Sequence, residues 1–414
     1  MTRLGYRRNR TDVGQPATHA AGRRAWWPKA GALAVGSALT MMLLGLVGVH
    51  PATAATTKLV VYVANNGGDT VSVLDAATST VTATINGFSA PRNLVATPDG
   101  THIYVTNSGN GTVSVIDTAT NTVTATIDVG TTPFGVAVAP DGSTVYSTNL
   151  GDGSVSVIDT ANNTVTTTVP VGTVAYAVAV NPAGTLAYAV NAGDGSVSVI
   201  DTGTNTVTDT ITGFSNPAGV AFTPDGTQAY VTNVGAGTVS VVDTSTNTIT
   251  DTITGDTGPT GVSVTSDGAH AYVANNGGNS VSVVDTSTNT VTDTIDGFDG
   301  PLSAAVTPDG AHLYVGNGQA STVALVDTST NTVSATITVG DGPTSVAMAT
   351  VTVTPSAGPS PVVQPGAPTS TGPALAETGI PGTTLATLAL ALIVMGGVLV
   401  AVGRRSVRGV AGNG

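Results

Sequence analysis

Tyrosine recurs every 42 residues, at Tyr62, Tyr104, Tyr146, Tyr188, Tyr230, Tyr272 and Tyr314, and an aspartate thirteen residues after each keeps the same step from Asp75 to Asp327. The chain is therefore a seven-fold repeat. A unit of 42 residues cannot bury its own apolar face, so the copies must pack on one another, and the period constrains the fold before any local reading does. The seven copies fill residues 58–351 without an insertion, which predicts one large closed domain where length alone would suggest two or three.

Within the second copy, Pro91 to Thr97 is a short apolar stretch that ends in the turn Pro98-Asp99-Gly100, with glycine where positive φ is needed. His102 to Asn107 reads as a second strand, Ser108-Gly109-Asn110-Gly111 as a loop, and Thr112 to Ile116 as a third strand with period-two alternation. Asp117-Thr118-Ala119-Thr120-Asn121 turns the chain into Thr122 to Ile127, where threonine alternates with apolar residues as on a half-exposed outer strand. Four short antiparallel strands, repeated seven times, predict an all-β seven-bladed propeller, which leaves only short and protected sheet edges. The first copy begins at its second strand, near Leu59 to Val63, and the chain's repeats end in a lone first-type strand, Pro343 to Thr350. That C-terminal strand is expected to pair with the three N-terminal strands and close the ring.

Tyr-Val-Thr-Asn stands at 104–107 and 230–233, with variants starting at Tyr62, Tyr146, Tyr188, Tyr272 and Tyr314. With the Pro-Asp-Gly turns and the Val-Ser-Val-Ile-Asp-Thr strands, the repeats resemble the YVTN family of β-propellers, known from bacterial and archaeal surface proteins. The resemblance covers all seven copies and implies the same fold.

Of the 12 basic residues only Lys58 and Arg92 fall between 55 and 378, against 24 of the 25 acidic ones, leaving that segment at about −22. Such a charge repels nucleic acid and anionic surfaces. No cysteine is present, which excludes disulfides and thiolate chemistry.

The two ends of the chain read as addresses. Residues 1–54 carry seven basic residues by Lys29, an uncharged run from Ala30 to Val49 and small residues up to Ala54, the pattern of a secretory signal peptide. An uncleaved membrane anchor is the alternative, and Arg23-Arg24 is similar to a twin-arginine export motif. Residues 352–374, rich in Pro, Ser, Thr and Gly and free of charge, read as an extended linker. Residues 375–414 hold Leu375-Ala376-Glu377-Thr378-Gly379, an apolar span at 385–402 and a basic tail of Arg404, Arg405 and Arg408. This order resembles a Gram-positive cell-wall sorting signal of the actinobacterial LAxTG type. The resemblance implies a sortase as processing partner, cleavage between Thr378 and Gly379, covalent attachment of Thr378 to peptidoglycan, and membrane contact only through the span before sorting. A plain C-terminal membrane anchor is the competing reading.

Few residues in the repeats suggest chemistry. The tyrosines, on strands of largely apolar residues, are expected to pack with their hydroxyls hydrogen-bonded, and the Asp75 to Asp327 series to accept backbone amides in turns. No cofactor is expected; structural calcium is the alternative, held by those aspartates and by loops such as Gly151-Asp152-Gly153 and Gly193-Asp194-Gly195. His102, His270 and His312 occupy one repeat position and so go to different blades, and no serine, histidine and acid set stands out.

The copies differ at one place above all. Directly after the first-strand proline position stand Arg92, Phe134, Tyr176, Ala218, Thr260, Leu302 and Thr344, and a second position nearby carries Phe88, Phe214 and Phe298. In a propeller both sets are expected around the mouth of the central channel, or as seals between blades. Arg92, Phe134 and Tyr176, from adjacent blades, form the candidate partner-binding face. Near-identical blades offer little asymmetry for catalysis, so the expected function is non-enzymatic binding or adhesion at the cell wall; a surface-coat component or a propeller enzyme such as a lactonase or lyase are the alternatives.

Overall fold

In a computed structural model, described here over residues 55–353, the chain forms twenty-eight β-strands grouped into seven four-stranded antiparallel sheets. The second sheet is typical: β4 (Pro91–Ala96), β5 (His102–Asn107), β6 (Thr112–Asp117) and β7 (Thr122–Asp128) follow one another as a meander. Gly100 closes the first hairpin with φ 70°, its amide donating to the Thr97 carbonyl at 2.8 Å. Asn121, with φ 53°, closes the third, a conformation asparagine tolerates better than most residues. The outer strand is more exposed than a half-buried strand would be, because a bulge between Val115 and Ile116 interrupts its alternation and leaves Val123 36% exposed.

Ring closure is the expected one. β28 (Pro343–Val353) pairs antiparallel with β1 (Thr56–Asn65), which continues into β2 (Thr70–Asp75) and β3 (Thr80–Asn86) to make the first blade from both ends of the repeat region. Both closing strands are longer than the sequence suggests, because their outer ends find each other: register runs from Thr56 opposite Val353 through Lys58 opposite Val351 to Asn65 opposite Pro343.

The core is not central but divided among the junctions. Seven apolar clusters each draw on two neighbouring blades; Tyr104, Val113, Val115 and Ile127 of the second blade, for example, meet Val136, Val145 and Ile158 of the third. Each fully buried aliphatic side chain contributes about 1.5–3 kcal/mol. The seven tyrosines lie in these clusters, no more than 2% exposed. In five of the seven junctions the hydroxyl donates to the turn asparagine of the next blade, from Tyr188 Oη to Asn247 Oδ1 at 2.6 Å up to Tyr146 to Asn205 at 3.4 Å. The other two junctions differ chemically: Tyr314 faces a repeat in which Ser79 replaces asparagine, and Asn331 Oδ1, the partner due to Tyr272, is buried without a bond.

Candidate functional site at the channel mouth

The first strand of every blade lines the central channel: β28, β4, β8 (Pro133–Val138), β12 (Ala175–Val180), β16 (Pro217–Phe222), β20 (Pro259–Val264) and β24 (Pro301–Val306). Each begins with an irregularity. In β4 the register slips between Pro91, opposite Asn107, and Leu94, opposite Val105, and the other first strands slip at the matching place. A bulge of this kind re-aims a side chain away from the sheet. The residue after the proline position is thereby turned toward the axis in all seven blades, so Arg92, Phe134, Tyr176, Ala218, Thr260, Leu302 and Thr344 together ring one cavity of about 250 Å³.

Besides the apolar Ala218 and Leu302, two kinds of residue occupy the ring. Thr344 Oγ1 donates to the Arg92 carbonyl at 2.7 Å, and Thr260 Oγ1 to the Leu302 carbonyl at 3.1 Å, each tying its blade to the next. Elsewhere the threonine two residues after the repeat tyrosine makes the corresponding bond: Thr106 to the Phe134 carbonyl, Thr148 to that of Tyr176 and Thr232 to that of Thr260, at 2.7, 3.0 and 2.7 Å. Blades with a ring threonine are the two whose strand reads Tyr-Val-Ala-Asn, with Ala64 and Ala274. The hydroxyl has moved from one strand to the next and kept its job. Sequence reading missed this exchange, although an internal comparison of the copies contains it. The blades approach so closely here that a Cβ on Gly135 would lie 2.7 Å from the Tyr176 carbonyl oxygen.

Arg92, Phe134 and Tyr176 are the other kind. The structure brings them together: the Phe134 and Tyr176 rings lie 4.0 Å apart at 36°, and the Arg92 guanidinium carbon sits 5.4 Å from the centre of the Phe134 ring. Arg92 Nε donates to Ser108 Oγ at 3.3 Å, while its two terminal nitrogens make no hydrogen bond among the described residues. Nor does it meet a carboxylate; the ion pair among the described residues is the 4.0 Å contact of Lys58 with Asp75, away from the cavity. Burial pushes the Tyr176 hydroxyl above its ordinary value, opposed in part by Arg92, so it remains a protonated donor. One floor lower, the Ser303 hydroxyl is buried without a partner.

The YNCE-like β-propeller family matches residues 30–355, most of the chain. The protein belongs to that family. Among solved structures, this YNCE-like propeller is similar to a hydrazine synthase chain of Kuenenia stuttgartiensis, at 23% identity and TM-score 0.59, covering 63% of this chain and 90% of that one. It is also similar to a functionally unknown protein of Desulfotomaculum acetoxidans, at 18% identity and TM-score 0.63, covering 70% and 99%. Both likenesses concern the fold. No curated protein matches.

Other expected features of this YNCE-like propeller fall elsewhere. Phe88, Phe214 and Phe298 do not line the mouth; at 6–8% exposed they pack into the junction clusters, the sealing role that was the alternative. Asp256 shares their repeat position and was overlooked. It is 7% exposed, accepts from Ser282 Oγ at 2.5 Å, and leaves Oδ2 buried without a partner, so burial raises its pKa above the ordinary carboxylate value. The signal that could have found it was a carboxylate at a position otherwise phenylalanine or glycine.

The turn aspartates spend their lone pairs locally: Asp243 Oδ1 takes the Ser245 and Thr246 amides at 2.9 and 3.0 Å. Asp152 and Asp194 instead latch neighbouring loops, accepting the Thr131 and Thr173 amides at 2.5 and 2.7 Å. Among the described residues no three acidic or histidine side chains gather as metal ligands, and no helix is long and apolar enough to cross a membrane. Leu375, Ala376, Glu377, Thr378 and Gly379, the span at 385–402 and the signal peptide lie outside the described residues.

Proposed function

We propose that this YNCE-like propeller is a non-enzymatic binding module displayed at the cell surface, with its partner seated on the channel mouth. The observation that carries the reading is the grouping of unlike side chains, Arg92, Phe134 and Tyr176, at one repeat position of an otherwise uniform ring. A partly exposed cation on an aromatic face is the type of group that anchors interfaces. Display follows from the termini: export by the signal at 1–54, then transfer of Thr378 to peptidoglycan by a sortase, in an actinobacterial-like host. The test is a triple variant, R92A/F134A/Y176A, in the full chain. It is expected to keep the wild-type melting temperature and lose attachment to surfaces that the wild type decorates; undiminished attachment overturns the mouth as the site. A Thr378→Ala chain is expected to leave the muramidase-released wall fraction and remain with membranes, whereas unchanged release would sink the sorting reading.

A second reading, a coat component, has its own support. The outer strands of three consecutive blades carry Asp209, Asp251 or Asp293 at a position where the other four have Ala83, Ala125, Thr167 and Ala335. Charges on edge strands discourage edge pairing, so the four blades without a mid-strand aspartate form a continuous arc able to add a second copy. Concentration-dependent assembly in sedimentation, abolished by Ala125→Asp, would favour this reading over a soluble partner.

A further inference from the structure

The channel mouth also specifies what kind of group it takes. Resting on the mouth as the binding site, we propose that it recognises a carboxylate carried on a flat or apolar body. Arg92 is the single arginine of the described residues, in a stretch with 23 aspartates, yet none of them pairs with it. A half-buried guanidinium with both terminal nitrogens free is an incomplete fork, matched in geometry to the two oxygens of a carboxylate. The Nε bond to Ser108 and the face of Phe134 fix the plane of that fork.

Its surroundings narrow the class further. Phosphate and other dianions call for several cations, and Lys58, the only other lysine or arginine of the described residues, lies at the clasp and not on the cavity. The strongly acidic surface disfavours a dianion more than a monoanion. Beside Arg92 the Phe134 and Tyr176 rings offer a stacking surface, and across the cavity Ala218, Leu302 and Val262 offer an apolar wall. The Tyr176 hydroxyl, kept protonated by its burial, is a donor for a second polar group. A cavity of about 250 Å³ holds a body of arylacetate size, or the last side chain and terminal carboxylate of a peptide.

The test compares acids with their amides on the full chain, labelled with ¹⁵N at arginine Nε. Nine further arginines lie outside the described residues, so the Arg92 signal is assigned by its loss in R92K. Phenylacetate is expected to shift the Arg92 signal in a saturable way, with phenylacetamide at least about tenfold weaker, because the charge-assisted pair is gone. In a second arm, a tetrapeptide ending in a free phenylalanine carboxylate is compared with its C-terminal amide. Tighter binding of the peptide acid than of phenylacetate assigns the site to chain termini, and the reverse order to small acids. Equal binding of acid and amide, or no response to either acid, overturns the carboxylate assignment. That failure is separable from failure of the binding reading, since the R92A/F134A/Y176A attachment assay would still stand.

Discussion

The turns on one face of the ring and the mouth on the other are built from the same repeat and treat variation in opposite ways. In the turns, aspartate, threonine and asparagine recur almost unchanged, and their polar atoms are consumed within the turn or by the preceding blade's tyrosine. At the mouth one position per blade changes freely, and three of its occupants, Arg92, Phe134 and Tyr176, present groups that the protein does not use for itself. The contrast teaches that uniformity marks the sites that join blades, and divergence marks those relieved of that task. Thr260 and Thr344 test the rule, for they diverge in sequence yet still join blades.

The contrast can be broken outright by ending the chain before Pro343. Loss of β28 removes a wall of the mouth and strips β1 of one of its two partners, so calorimetry is expected to show a sharp fall in melting temperature and loss of a single cooperative transition; an unchanged melt would refute the clasp. Next in size is the blade junction. Tyr188→Phe deletes a 2.6 Å bond and should cost about 1 kcal/mol, or about 2 °C, while Tyr272→Phe, at a junction without that bond, should cost close to nothing. Equal losses at the two sites would mean that the hydroxyl bond does not stabilise the junction.

A smaller effect, of opposite sign, is expected at Asp256. Burial raises its folded-state pKa, so its contribution favours folding below the ordinary carboxylate range and is lost as pH rises through the raised value. The turn aspartates run the other way. Asp225, lowered by the Thr223 hydroxyl and the Thr227 amide, stabilises above the ordinary range and loses that contribution as pH falls. Asp256→Asn should therefore raise the melting temperature at pH 7 by less than Tyr188→Phe lowers it, with the gain shrinking toward acid pH; a loss at pH 7 would show that the ionised carboxylate is wanted. Last, Arg92→Ala should change stability by no more than about 0.5 kcal/mol, as expected where a side chain is spared from structural duty. A larger loss would return Arg92 to the class of the turn residues.

The blades, their number and the clasp were legible because the period and the Pro-Asp-Gly and Asp-Thr-x-Thr-Asn turns act locally, each within a few residues. The ring at the mouth was legible too, since equivalent positions must share one radius. What escaped depended on contacts across junctions. Phe88 and its equivalents stand only a few residues before the ring position, but a loop carries them into the core, and nothing within one repeat distinguishes the two directions. Asp256 was hidden in the same way, its environment being supplied by Ser282 of the following blade. The longer closing strands were missed because Thr56 and Val353 lie outside the repeat and gain their reason to extend only from each other.

The clasp also determines how the ring would carry tension. β28 runs from the mouth at Pro343 to the opposite face at Val353. A pull between the mouth and the Val353 end would act along β28, and its bonds to β1, from Ser345 opposite Ala64 down to Thr56 opposite Val353, would be loaded together in shear rather than opened one at a time. The same strand reaches the ligand side directly, through the Thr344 hydroxyl on the Arg92 carbonyl. Load applied between Arg92 and the Val353 end would therefore cross one blade junction, from β4 of the second blade to β28 of the first.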